Sequence, residues 1–181
     1  MIGFIVNSIG RWQLKRRFNI LNRSVEALNM SNIKSALLVC HITNEKSYME
    51  MLEISTNLKR NYTVGKVDML AYCSTKEIPK YVDDQLVTIL QNKQIDFTGI
   101  PKDDFSKPIL TMDFDLLVDF TPISFLPTDY FLALVNAKMK VGPKSGIKNE
   151  FLDLIIDIPL KSTLLELSKN IFRYLEMINK V

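Results

Sequence analysis

At 181 residues, with 47% hydrophobic and 24% charged side chains, the chain has the size and composition of one globular domain that buries its core without disulfides or metals. A net charge of +3 is too small to announce a nucleic-acid binder, and no apolar run reaches the roughly eighteen residues of a membrane-spanning helix. The two cysteines, Cys40 and Cys73, sit in apolar runs as buried hydrophobes, and with no disulfide framework or cleavable signal pattern the chain reads as cytoplasmic.

Residues 1–30 read as a basic helical segment ahead of a single α/β domain over 31–181. Ile2, Ile5, Ile9 and Trp12 recur at helical spacing, followed by Phe18, Leu21, Val25 and Leu28. Arg11, Lys15, Arg16, Arg17 and Arg23 make this the most basic part of the chain. Residues 36–42 (ALLVCHI) predict a buried strand, 45–60 a helix, and 66–73 (KVDMLAYC) a second strand after Gly65. A helix is expected over 79–92, opening at Pro79 and burying Val82, Leu86, Ile89 and Leu90. Residues 95–106 read as a strand end running into a loop.

Phe114–Gly142 then holds a strand, a helix and a second strand. Leu116, Leu117 and Val118 form a continuous apolar run, the pattern of a parallel strand covered on both faces. FLDLIIDI at 151–158 predicts a sixth strand, ended by Pro159. A final helix carries a capping box, Thr163 with Glu166, and an apolar stripe from Leu164 to Ile178. Strands alternating with helices give a three-layer α/β sandwich, Rossmann-like or flavodoxin-like, with a mostly parallel sheet of five to six strands and a basic amphipathic helix at the N-terminus.

Ligands of such sheets bind beyond the carboxyl ends of the strands. The candidates there are His41, Thr43 and Asn44 after the first strand, Asp119 and Thr121 after the fourth, and Lys144 after the fifth. His41 is the only histidine, placed where a general base could stand, but Cys40 points to the opposite face, so a packed histidine is the better reading. Asp119 could act as a catalytic carboxylate or, preferably, bind loop amides. The aspartates 103, 104, 113 and 115 read as a solvated cluster. One histidine and two unclustered cysteines give no standard zinc site, so no metal is expected. The turn HITNEK lacks the glycines of a dinucleotide fingerprint, and the cofactor stays unknown. On the N-terminal helix, Trp12 with Arg11, Lys15, Arg16 and Arg17 could meet a protein partner, with a membrane surface possible but not favoured and nucleic acid unlikely.

KVDMLAYC, DFTGIP, FDLLVDFT and AKMKVG, in that order, resemble a small bacterial family known only as a domain of unknown function. The resemblance implies a fold and supplies no catalytic residue. FDLLVDFT, the helix after it and AKMKVG are also similar to a segment in the first half of heptosyltransferase-like glycosyltransferases. Those enzymes place the substrate between two Rossmann-like domains, so glycosyl transfer by this chain alone is not implied. The expected function is a non-catalytic binding or interaction module. A small enzyme or ligand sensor with its site at the strand exits is the alternative, and a peripheral membrane or RNA-binding role of the helix is a third.

Overall fold

Ala36 to Cys40 are all buried, so the strand that carries them, β1 (Ser35–His41), needs apolar cover on both faces. The computed structural model, which describes residues 2–157, 159 and 162–178 with side chains from residue 8 onward, supplies that cover. Among the described residues, β1 is joined by β2 (Lys66–Tyr72), β3 (Thr88–Leu90), β4 (Asp113–Asp119), β5 (Asn136–Pro143) and β6 (Leu154–Ile156). The sheet is all-parallel in the order β3-β2-β1-β4-β5-β6. This is the Rossmann order, not the flavodoxin one, and it reverses between β1 and β4.

Helices α2 (Glu45–Asn61) and α5 (Leu164–Met177) cover one face, where Leu38, Cys40, Met51, Ile54, Val118 and Ile171 share a core. Helices α1 (Ile2–Ile20), α3 (Asp103–Leu110) and α4 (Leu126–Leu134) cover the other, with Leu14, Leu37, Val39, Ile109, Leu117 and Phe131. Each such buried aliphatic or aromatic side chain contributes about 1.5–3 kcal/mol. Two helix starts follow from local chemistry. Asn44 caps α2 by accepting from the Ser47 amide, and Thr163 caps α5 by accepting from the Glu166 amide, each with the reciprocal side-chain bond.

Four elements differ from the sequence reading. The first helix stops at Ile20 instead of continuing to residue 30, because the chain must pass from the α4 side of the sheet to the α2 side before β1. That extended segment is tied down by Arg23, which donates to both oxygens of Asp153 and to the Ala137 carbonyl, and by the Glu26 amide donating to the Lys138 carbonyl. Residues 79–92 are not a helix. The Val82 amide donates to the Pro79 carbonyl and the Asp83 carboxylate accepts from the Gln85 amide, so turns end the run, and the β-branched pair Thr88 and Ile89 extends the sheet beside β2. Leu86 is left exposed.

Residues 103–106, read as loop, open α3, whose first turn carries Asp103 and Asp104 where the helix dipole favours them. The sixth strand is only Leu154–Ile156, because Phe151 ends a 3₁₀ turn (Gly146–Phe151) and packs under α1 against Phe18. Ile158 and the side chains of Ile2 and Ile5 lie outside the described residues. Among those residues, no helix is long and apolar enough to cross a membrane.

Candidate functional site

The reversal between β1 and β4 brings the carboxyl ends of β1, β4 and β5 to one edge. On the α2/α5 side that edge opens into a cleft of about 310 Å³. Its rim carries His41, Thr43, Asn44, Lys46 and Lys144, and its floor is apolar, with Phe120, Pro143 and Leu167. The first turns of α2 and α5 both reach it through Asn44, Ser47 and Thr163. Four expected site residues, His41, Thr43, Asn44 and Lys144, are therefore brought together. Glu50, buried at the back of the cleft, accepts from the Leu164 amide at 3.0 Å and so ties α2 to the start of α5.

Asp119 and Thr121 are not on that surface. Asp119 is 1% exposed, and its Oδ1 accepts from the Thr121 amide and hydroxyl at 2.9 and 2.6 Å. Its Oδ2 accepts from Lys148 Nζ at 2.6 Å, and the same ammonium donates to the Thr121 carbonyl and, at 3.1 Å, to its hydroxyl. A fully buried lysine is thus satisfied by one carboxylate and two oxygens of a neighbouring turn, the arrangement a charge needs when it leaves water. Gly142 lies against this pair, and a Cβ there would stand 3.1 Å from Asp119.

His41 sits above it. Its ring packs edge-on against Tyr72 and Phe125 at 5.3 Å each, and Tyr72 and Phe125 lie 4.5 Å apart. His41 Nε2 is 3.4 Å from Thr128 Oγ1, whose hydrogen goes to the Phe125 carbonyl, so Nε2 is the donor and Nδ1 keeps its lone pair. Burial lowers the His41 pKa, Asp119 opposes that and Lys148 adds to it, so the imidazole is neutral at pH 7. Asp129 is pushed up to about 6 by burial, against the hydroxyl of Ser124, which donates to it at 2.5 Å.

Two of the four basic residues of α1 bond back to the fold. Arg11 donates to Ser124 at 3.3 Å and lies 3.6 Å from the Asp129 carboxylate, and Arg17 donates to the Tyr130 hydroxyl at 2.8 Å. Lys15 pairs with Glu150 at 2.9 Å on the surface. Arg16 stacks over Trp12, 5.8 Å from the ring centre, and Trp12 is 62% exposed.

The buried groups Lys140, Lys148 and Asp129 carry no signal in the sequence as site residues. Lys140 Nζ donates to the Leu132 and Ala133 carbonyls at 2.7 and 2.9 Å, capping the C-terminus of α4, and burial with the Arg23 charge pushes its pKa down to about 7. Only its place on an inward-facing register position of β5, beside Leu117, could have shown it. Among the described residues, no three His, Cys, Asp or Glu side chains stand close enough to hold a metal ion.

Comparison with known proteins gives a family and a fold. A family of unknown function (DUF6913) matches residues 7–178. No curated protein matches the sequence. Among solved structures, the E. coli heptosyltransferase WaaC with ADP is similar at a TM-score of 0.50 and 11% identity, over 81% of this chain and 48% of that one. The chain thus spans about half the length of that enzyme, and at this identity the likeness extends to the fold alone.

Proposed function

The chain belongs to that family of unknown function, and we propose that it acts as a non-catalytic binding module that holds a small anionic molecule in the cleft between His41 and Lys144. The observation that carries the reading is the cleft itself. At the point where strand order reverses, it joins two lysines, Lys46 and Lys144, to the first turns of two helices, over an apolar floor. Binding without chemistry is favoured by the state of the two expected catalytic groups. The Asp119 carboxylate is spent on Lys148 and Thr121, and His41 is packed between rings as a neutral imidazole beside a Thr128 hydroxyl that is turned to the Phe125 carbonyl.

The test is native mass spectrometry of the gently purified full chain, followed by thermal shift with inorganic phosphate and pyrophosphate. A co-purifying anion, or a rise in Tm that Lys144→Ala and Lys46→Ala abolish, supports the reading. Both residues are exposed, so the substitutions spare the fold. A bare chain whose Tm no anion moves sinks it.

A second reading rests on the outward face of α1, where Ile9 and Trp12 are 43% and 62% exposed. With Arg11 and Arg17 committed to the fold, few free cations remain for an anionic surface, and a protein partner suits this face better. Trp12 is the single tryptophan, so its emission reports the face directly. A blue shift with anionic vesicles would replace the protein partner by a membrane.

A further inference from the structure

A second groove, of about 450 Å³, opens on the other side of the same sheet edge. Tyr72, at the end of β2, and Phe125, ahead of α4, supply one aromatic wall, with rings 4.5 Å apart and tilted 49°. Phe97 lines the same groove and is 85% exposed, the most exposed of the large hydrophobic residues among those described. An aromatic ring on a loose tip would carry no argument, but this loop is fixed. Asp96 Oδ1 accepts from the Thr98 amide, the Thr98 hydroxyl and the Ile100 amide at 2.7, 2.6 and 3.1 Å. The Asp96 amide donates to the Ile100 carbonyl, and Gly99 takes a positive φ of 86° that seats the loop against Leu126. The fold thus holds a phenyl ring in water on the lining of a groove that Tyr72 and Phe125 also line.

Polar side chains line the same groove. The Asn92 carboxamide oxygen is taken by the Tyr72 hydroxyl at 2.8 Å, which orients its amide hydrogens, and the Arg11 guanidinium closes the end next to Ser124. Aromatic faces with a few placed hydrogen-bonding groups at the edge are what a flat, heteroatom-bearing ring requires. Its faces stack, and its edge finds donors and acceptors.

We infer that this groove is a second binding site, separate from the anion cleft, that takes a planar heteroaromatic ring of the nucleobase class between Phe97 and the Tyr72–Phe125 wall. Phe97 supplies stacking and Asn92 reads the ring edge.

The experiment is titration of the full chain with adenosine, an uncharged probe that the lysines of the cleft do not attract, followed by saturation-transfer NMR and calorimetry. Ribose 5-phosphate and glucose serve as controls that carry no aromatic ring. Adenosine binds, Phe97→Ala weakens it about tenfold, the lower part of the range for loss of one base-stacking partner, Phe97→Tyr restores it, and Lys144→Ala leaves it unchanged. Phe97 is exposed, so its truncation does not unfold the chain. Absence of adenosine binding, equal binding by Phe97→Ala, a loss produced by Lys144→Ala instead, or glucose binding in place of adenosine would each overturn the inference. Failure of the anion cleft shows separately, as phosphate binding insensitive to Lys144→Ala.

Discussion

The two faces of the sheet are built from different materials. Between the sheet and α2/α5 the core is aliphatic and aromatic, and the one buried charge among the described residues is Glu50 at its rim. Between the sheet and α1, α3 and α4 the apolar core is interrupted by Asp119, Asp129, Lys140 and Lys148, all 1% exposed or less. The first face follows from hydrophobic pattern alone and tolerates any filling of the right volume. The second is held by specific partners: Lys148 on Asp119, Lys140 on the end of α4, Arg11 and Ser124 on Asp129. Removing a single partner there leaves a charge with nowhere to go.

Asp119→Ala tests that difference hardest. It strands the Lys148 ammonium in the interior and costs about 3–5 kcal/mol of unfolding free energy by chemical denaturation. The pair Asp119→Leu with Lys148→Met restores most of it, and a double variant as unstable as the single one would show that the pair is not what distinguishes the faces. Lys140→Met gives the next effect, and its sign depends on pH. The folded pKa of about 7 lies below the unfolded value near 10.4, so the folded state sheds its proton first and native stability rises as pH goes from 7 to 10. The variant lacks that rise, so denaturation at pH 6 and pH 10 shows the wild type gaining on it by a few kcal/mol. Parallel curves would mean that Lys140 is not held away from water.

Gly10→Ala sharpens the comparison at the seam where α1 docks. A Cβ would stand 2.2 Å from the Thr98 carbonyl oxygen and 2.7 Å from Leu126, so helix and loop must part, at about 1–3 kcal/mol. Amide exchange of α1 quickens correspondingly. Lys15→Ala, in contrast, breaks an ion pair whose two side chains are about half exposed, and shifts stability by no more than about 0.5 kcal/mol.

The same division explains what could be read from residues alone. β1 and β4 announce themselves as apolar runs, β2 by its β-branched start after Gly65 and its polar exit, and α2 and α5 carry their apolar stripes, α5 also its capping box. Rules for parallel sheets place His41, Thr43, Asn44 and Lys144 at one edge, and the fold gathers them in one cleft. Where the reading fails, tertiary partners decide. Val82, Ile89 and Leu90 have helical spacing, yet the same residues are buried by a turn and a strand beside β2. Lys148 lies in a polar stretch, PKSGIKNE, indistinguishable from a solvated loop until Asp119, 29 residues earlier, is seen beneath it. The separation of Asp119 from the cleft surface has the same origin.

Helix α1 is made early and used late. Arg11 and Arg17 bond to Ser124 and Tyr130, each 113 residues further along the chain. At synthesis rates of about 5–20 residues per second, that is a wait of about 6–23 s between the helix leaving the ribosome and its docking surface following it. Through that interval Leu14 and Phe18 have nothing to pack against, and Ile9 and Trp12 are exposed in any case, so both sides of the helix present apolar surface at once. Apolar surface left open for that interval is prone to aggregate, so the first helix is the weak point of the nascent chain.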